Sequence, residues 1–274
     1  MAAAVKCAWK VTTVSPGYLN ELRFSANGLE NLFEFEKGKC IGILNGIDTD
    51  IWNPENDPFI IFNYNYKSVQ KGKKQNKLEL CSRFYLDSEK PLFIFIGRLV
   101  GEKAADLLAA AISESIYNYQ GNAGFLVLGS GDPTVENSLE QMKHKFSGYF
   151  NTYIGYQEQL SHIMYAGADF LLMPSRVEPC GLNQLYALRY GTIPIVRSTG
   201  GLKDTVKDLS EVKGFGIRFD NASVTEMVNA VGRAIDFYEN KPDEFARNRS
   251  YIMTLDHSWD TSAGQYIKLY NSLK

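Results

Sequence analysis

The chain has 274 residues, of which 45% are hydrophobic and 22% charged, with a formal net charge of −2. This is ordinary globular composition, long enough for one large or two small domains. It excludes the basic footprint of a nucleic-acid binder, and no apolar run approaches the ~18 residues that cross a bilayer.

The first ninety residues carry little pattern. Residues 1–10 include Lys6 and Lys10 but no secretory core. Residues 11–15 read as a strand, 16–24 as a short helix, and 41–44 as a second strand ending in Asn45-Gly46. One or two strands and a helix cannot bury a core of their own. Residues 1–44 are therefore expected to be the last piece of a preceding domain, and 45–90 a hinge and interdomain segment. Residues 53–77 are polar and interrupted by Asn53-Pro54, Asp57-Pro58 and Lys71-Gly72. They predict surface structure, with the basic cluster from Lys67 to Lys77 on a solvated helix face or loop.

From Pro91 onward (residues 91–274) the pattern alternates. Apolar strands are predicted at 92–96, 125–128, 152–154, 169–173, 193–196 and 216–219. Between them fall helical spacings at 104–119, 134–146, 159–167, 182–190 and 202–209. A capping box, Ser223-Val-Thr-Glu226, starts a helix to Tyr238, and two more helices cover 242–253 and 259–273. Six short strands, apolar on both faces and separated by helices, define an α/β domain with a doubly wound, Rossmann-like parallel sheet. Arg98, residues 129–132, Tyr156, Glu178 and residues 199–201 all lie just beyond strand carboxyl ends, the edge where such sheets bind ligands.

The run Pro174-Ser-Arg-Val-Glu-Pro-Cys-Gly-Leu-Asn-Gln184 places Glu178 on a turn between a buried strand and a helix opening near Gly181. The first amides of such a helix have no internal partner and attract an anion. A carboxylate beside a bare phosphate would be repelled, so its presence points to a phosphate joined to a polyol, a nucleotide sugar. Arg98 and Lys103, on one loop, match the two charges of a diphosphate; the plainer reading is a pair of exposed surface cations. Gly129-Ser-Gly-Asp132 is a turn that would shape the nucleotide pocket. It lacks the dinucleotide fingerprint, because Thr134 stands where Gly or Ala is required. Tyr156 either stacks on a base or is a half-buried aromatic. His144, His162 and His257 show no metal spacing, so neither metal nor cofactor is expected. Four dispersed cysteines form no C-x-x-C pair, which fits a reducing cytosol. Cys180 has no histidine base nearby in sequence and is read as lining the pocket.

These residues, in this order, resemble the C-terminal half of bacterial glycogen synthases and plant starch synthases, retaining glucosyltransferases of the two-domain GT-B fold. The matching stretches are Val11-Thr-Thr-Val-Ser-Pro16, Leu44-Asn-Gly-Ile-Asp48, Trp52-Asn-Pro54, Gly97-Arg-Leu99 with Lys103, and Gly129-Ser-Gly-Asp-Pro133. Ile154-Gly-Tyr156, residues 174–186, Tyr190-Gly-Thr192 and Thr199-Gly-Gly-Leu-Lys-Asp-Thr205 complete the likeness. The resemblance implies that Arg98 and Lys103 hold the diphosphate of ADP-glucose or UDP-glucose. It implies that the amides of Gly181, Leu182 and Asn183 meet the distal phosphate and that Tyr156 faces the base. Glu178 would bond sugar hydroxyls, and Asn45 would face sugar and acceptor; Cys180, Thr199 and Gly200 complete the implied pocket.

The family usually has Thr at Asn183, and Tyr186 stands where other retaining members carry a second glutamate. The Lys-x-Gly-Gly-Leu loop and active-site histidine of the acceptor domain do not precede Val11. The chain is thus expected to be the donor half of a cytoplasmic enzyme that meets an α-1,4-glucan through an N-terminal domain. No nucleic-acid or membrane partner is expected. Three rival readings are a nucleotide-binding module without catalysis, a nicotinamide oxidoreductase, and a glycosyltransferase of the same fold with another acceptor. The oxidoreductase would need its glycine fingerprint where Arg98 stands.

Overall fold

A computed structural model describes residues 1–273. Six parallel strands form the main sheet: β3 (Leu92–Ile96), β4 (Gly124–Gly129), β5 (Phe150–Ile154), β6 (Phe170–Met173), β7 (Ile193–Arg197) and β8 (Ile217–Phe219). Their order across the sheet is β5-β4-β3-β6-β7-β8. Counted from β3, that is the 3-2-1-4-5-6 order of a doubly wound Rossmann sheet. The expected fold class and all six strands are present. Leu92–Phe95, β4 and β6 are buried throughout, which is why they read as continuous apolar runs rather than alternating ones.

Helices cover both faces: α5 (Leu108–Asn118), α6 (Pro133–Lys145), α7 (Glu158–Gly167), α8 (Asn183–Arg189), α9 (Gly200–Thr205), α10 (Val224–Asn240), α11 (Pro242–Ile252) and α12 (Trp259–Asn271). The predicted helix start holds in half of its capping box: Ser223 accepts from the Glu226 amide, while Glu226 reaches past the Ser223 amide to accept from those of Asp220 and Asn221. The predicted 202–209 helix ends four residues early. Val206 turns extended, and Asp208 pairs with Gly216 beside the last strand. No described helix is long and apolar enough to cross a membrane.

Residues 53–77 correct the surface reading. A 16-residue helix, α4 (Val69–Phe84), packs on α7 and contributes Val69, Leu80, Cys81 and Phe84 to the core. Its polar residues obscured it, because several are buried with partners rather than solvated. Lys73, 1% exposed, donates to the Tyr165 and Tyr190 carbonyls and the Thr192 hydroxyl at 2.9, 3.1 and 2.7 Å. Burial, reinforced by nearby Arg249, drives its ammonium well below the usual lysine range. Lys77 pairs with buried Asp169 at 2.7 Å. Asn76 accepts from the Ile61 and Phe62 amides and donates to the Phe62 carbonyl, tying the preceding loop to the helix.

Residues before Ile47 add nothing to the contiguous core. They form a separate two-stranded parallel sheet of β1 (Val11–Thr13) and β2 (Cys40–Gly42). Around it lie α1 (Ala2–Cys7), α2 (Pro16–Glu21) and α3 (Glu30–Phe35). They meet the main body where α2 packs on α9 and where Ser262 of α12 donates to the Leu44 carbonyl at 2.7 Å.

Candidate functional site

The chain reverses its direction across the sheet between β3 and β6, so the loops that leave these strands diverge and open a crevice at their carboxyl ends. The turn after β6 is pinned from behind. Arg197, at the end of β7, donates Nε to the Ser175 carbonyl (2.7 Å) and Nη2 to the Arg176 carbonyl (2.6 Å). Arg176 grips the loop after β3: Nη1 donates to the Gly101 carbonyl (2.7 Å), and both terminal nitrogens pair with Asp106 (2.5 and 2.8 Å). That planar fork holds the Asp106 carboxyl below its usual range. The Arg176 amide closes the seam on the Glu102 carbonyl at 2.8 Å.

This seam brings Lys103 to Glu178, 75 residues apart in sequence, with Nζ 2.5 Å from Oε2. The same oxygen accepts from Ser175 Oγ at 2.9 Å. Glu178 is 6% exposed, so its carboxylate is desolvated and directional rather than a freely solvated charge.

Beyond Glu178 the chain passes buried Cys180, whose thiol burial raises while the Asn45 backbone opposes the shift. At Gly181 φ is +74°, which aims the turn into α8. Among the described residues, no partner is recorded for the Gly181 and Leu182 amides. Asn183 Nδ2 donates to the Ile96 carbonyl at 2.7 Å, fastening the start of α8 to the end of β3. Asn45, Lys103, Glu178 and residues 180–183 thus share one neighbourhood.

Arg98 lies at the other end of the same loop, exposed and paired with Glu102 at 3.2 Å. With Gly129, Tyr156 and Asn183 it lines a ≈ 460 Å³ cavity next to the Glu178 turn, whereas Asn45, Lys103, Glu178 and residues 180–182 lie outside its lining. Tyr156 is 85% exposed, so it stands at the rim rather than half-buried, its hydroxyl donating to Glu158 at 3.4 Å. The opposite wall holds residues that sequence reasoning did not assign. Trp52 is sandwiched between His162 (centroids 3.9 Å, 11°) and Tyr186 (3.8 Å, 19°). His162 in turn is held by buried Asp57 at 2.8 Å, which also accepts from the Tyr190 hydroxyl at 2.5 Å. Burial pushes Asp57 upward, but the His162 and Tyr190 hydrogen bonds outweigh it and leave the carboxyl lowered. The signal in sequence was only an isolated Trp-Asn-Pro, which does not announce an aromatic stack.

Three predicted residues sit differently. Asp132 spends its carboxylate capping α6, accepting from the Thr134 amide at 2.7 Å, and it does not line the cavity. Thr199 and Gly200 hold Glu21 of α2: its Oε1 accepts from the Thr199 hydroxyl (2.9 Å) and the Gly200 amide (2.7 Å). Gly200 also backs the Glu178 turn, because φ is +43° and a Cβ there would meet the Glu178 carbonyl oxygen at 2.0 Å. Gly200→Ala is therefore expected to displace that carbonyl at a cost of ~1–3 kcal/mol. A thermal melt of the chain would check it.

A Rossmann sheet with cation, carboxylate and free amides at its switch point has the donors and acceptors that a phosphorylated, hydroxyl-rich ligand would need. A family profile described as "Glycosyl transferases group 1" matches residues 81–249, and the chain belongs to that family. It is 50% identical over 271 residues to a glycogen synthase of Flavobacterium johnsoniae, covering 99% of this chain and 57% of that protein. The catalytic domain of starch synthase IV from Arabidopsis thaliana, bound to ADP and acarbose, superposes with a TM-score of 0.90 at 38% identity. That match covers 99% of this chain and 57% of the other. Sucrose-phosphate synthase from Thermosynechococcus elongatus, with 19% identity, a TM-score of 0.67 and coverage of 99% and 60%, shares the GT-B fold. The chain spans just over half the length of the curated relatives it matches.

Proposed function

We propose that this chain is the donor-binding half of a glycogen or starch synthase. The whole enzyme transfers glucose from ADP-glucose or UDP-glucose to the non-reducing 4-OH of an α-1,4-glucan, with retention. The observation that carries this reading is the Lys103–Glu178 contact, beside two backbone amides without partners. Cation, carboxylate and amide donors in one crevice suit a phosphate joined to a sugar. The likeness to glycogen synthases, and to a starch synthase bound to ADP, supports the donor class.

On this reading, the bond from the glucose anomeric carbon to the diphosphate breaks, and the acceptor 4-OH takes its place from the same face. The acceptor proton passes to the departing diphosphate. Arg98, Lys103 and the amides of Gly181, Leu182 and Asn183 offset the charge that grows on that leaving group. Each such preorganised donor is worth about 10²–10³-fold in turnover. Lys103 exchanges Glu178 for the diphosphate, which leaves the carboxylate, still held by Ser175, to accept from sugar hydroxyls. Tyr156 and the Trp52–Tyr186 stack flank the base, and Asn45 faces sugar and acceptor. Buried Cys180, its thiol pushed up, is no nucleophile. No metal or cofactor enters the scheme.

Residues 1–44 are assigned to the acceptor domain; of the 45–90 segment expected as hinge, 45–68 keep that assignment, and α4 onward joins the donor domain because α4 packs on α7. The chain alone is expected to bind donor without transferring glucose, since transfer needs an acceptor held in place and water excluded. Calorimetric titration with ADP, UDP and their glucose conjugates tests the reading, and failure of all four to bind would end it. Arg98→Ala should weaken ADP about tenfold, the loss of one charge-assisted contact. Unchanged affinity would remove Arg98 from the site.

A further inference from the structure

A second cavity, ≈ 350 Å³, opens on the opposite edge of the sheet, at the amino ends of β3 and β6. Asp169 marks the place: it immediately precedes β6, and its Oδ2 accepts from the Leu92 amide at the start of β3 (2.9 Å). The charged residues around the cavity are Lys73, Lys74, Lys77 and Arg249 against Asp169 and Glu89. Asp169 is shared between two buried cations, Oδ2 with Lys77 Nζ at 2.7 Å and Oδ1 with Arg249 Nη2 at 2.5 Å. One carboxylate cannot neutralise both.

Arg249 is 6% exposed yet donates only through Nη2: Nε is buried without a partner, and Nη1 has none among the described residues. Lys73, the next amine inward, is held by carbonyl and hydroxyl oxygens, and burial disfavours its charged form, so the surplus is counted from Lys77 and Arg249 against Asp169 alone. An ion-pair network built only to dock α11 would be balanced, because each buried unpaired charge costs several kcal/mol. The surplus here is positive, and it faces a cavity.

We propose that this cavity binds a phosphate group, held by the Arg249 guanidinium and the Lys77 and Lys74 ammonium groups. A planar guanidinium with unused donors matches phosphate oxygens, and lysines add point charge. The cavity is near the lower end of small-molecule sites, which suits inorganic phosphate or a small monophosphate ester. Phe245 and Tyr238 back the two cations rather than offering a bare wall: the Arg249 guanidinium stacks over the Phe245 ring at 4.4 Å, and Lys77 lies over the Tyr238 ring at 5.2 Å and donates to its hydroxyl at 3.4 Å, while Glu89 at the rim opposes the anion. This site is independent of the donor reading and lies on the other edge of the sheet.

The test is calorimetric titration of the chain with inorganic phosphate and, separately, a hexose 6-phosphate, at constant ionic strength. Lys74 and Glu89 are exposed, so their variants keep the fold. Lys74→Glu should weaken binding about fivefold and Glu89→Gln should tighten it about twofold, the scale of exposed charge contacts. Arg98→Ala, on the donor edge, should leave it unchanged. Tighter binding of the ester assigns a substituent pocket, and equal binding assigns the free ion; both support the site. Absence of binding at millimolar ligand, or binding that shifts with Arg98→Ala and not with Lys74→Glu, would overturn it.

Discussion

Glu178→Gln, in a full-length enzyme carrying this sequence, is expected to bind ADP as before and to transfer glucose about 10²–10³-fold more slowly. Glutamine keeps the shape of the side chain and still accepts from Ser175 through its carbonyl oxygen, so the turn stays in place. The negative charge is lost, and with it the strong acceptor for sugar hydroxyls and the counter-charge to a cationic sugar. Lys103, released from its pair, remains available to the diphosphate. Steady-state rates with calorimetric ADP affinity separate the two effects. Turnover equal to the unsubstituted enzyme would show that Glu178 orders the turn and does nothing to the sugar.

The second large effect is on folding. Asp169→Asn should destabilise the chain by about 3–5 kcal/mol, the range for removing one partner from a buried ionic cluster. Asp169 is 2% exposed and holds Lys77, Arg249 and the Leu92 amide together, so its loss strands two buried cations at once. The carboxyl resists protonation: burial pushes its pKa up, but Lys77 and Arg249 outweigh that and leave it lowered. A lowered folded-state pKa means the stabilisation is fully present above the unfolded aspartate value of about 3.9. It is lost as pH falls through the lower folded value. Denaturant melts from neutral to acid pH should therefore show the unsubstituted chain weakening toward Asp169→Asn only below that range. Equal melts at neutral pH would contradict the assignment.

The sheet was legible because parallel strands buried on both faces leave unbroken apolar runs, as at residues 92–96 and 125–128. The Lys103, Glu178 and residue 180–183 neighbourhood was legible too, since ligand-facing residues collect at strand carboxyl ends. α4 was not. Its core-facing side carries Lys73, Asn76 and Lys77, which satisfy their polar ends on carbonyls and on Asp169, so hydrophobic periodicity has nothing to detect. Thr199 and Gly200 looked like ligand residues for a sound local reason, but Glu21, 179 positions before Gly200, already takes their donors. Asp132 followed a glycine turn at a strand end, and the same short side chain is what a helix start needs. Local pattern cannot tell such a cap from a ligand contact.

The Arg197 and Arg176 seam locks the Glu178 turn to the loop after β3, whereas Tyr156 sits on a separate loop outside that lock. On the proposed function, Tyr156 and the groups assigned to bond breaking therefore stand on separate supports, whereas Trp52 is tied through Tyr186 to the helix that follows the Glu178 turn. On that reading, replacing Tyr156 alone retunes which nucleoside is accepted and leaves the Glu178 turn in place, one route by which a single scaffold serves donors with different bases.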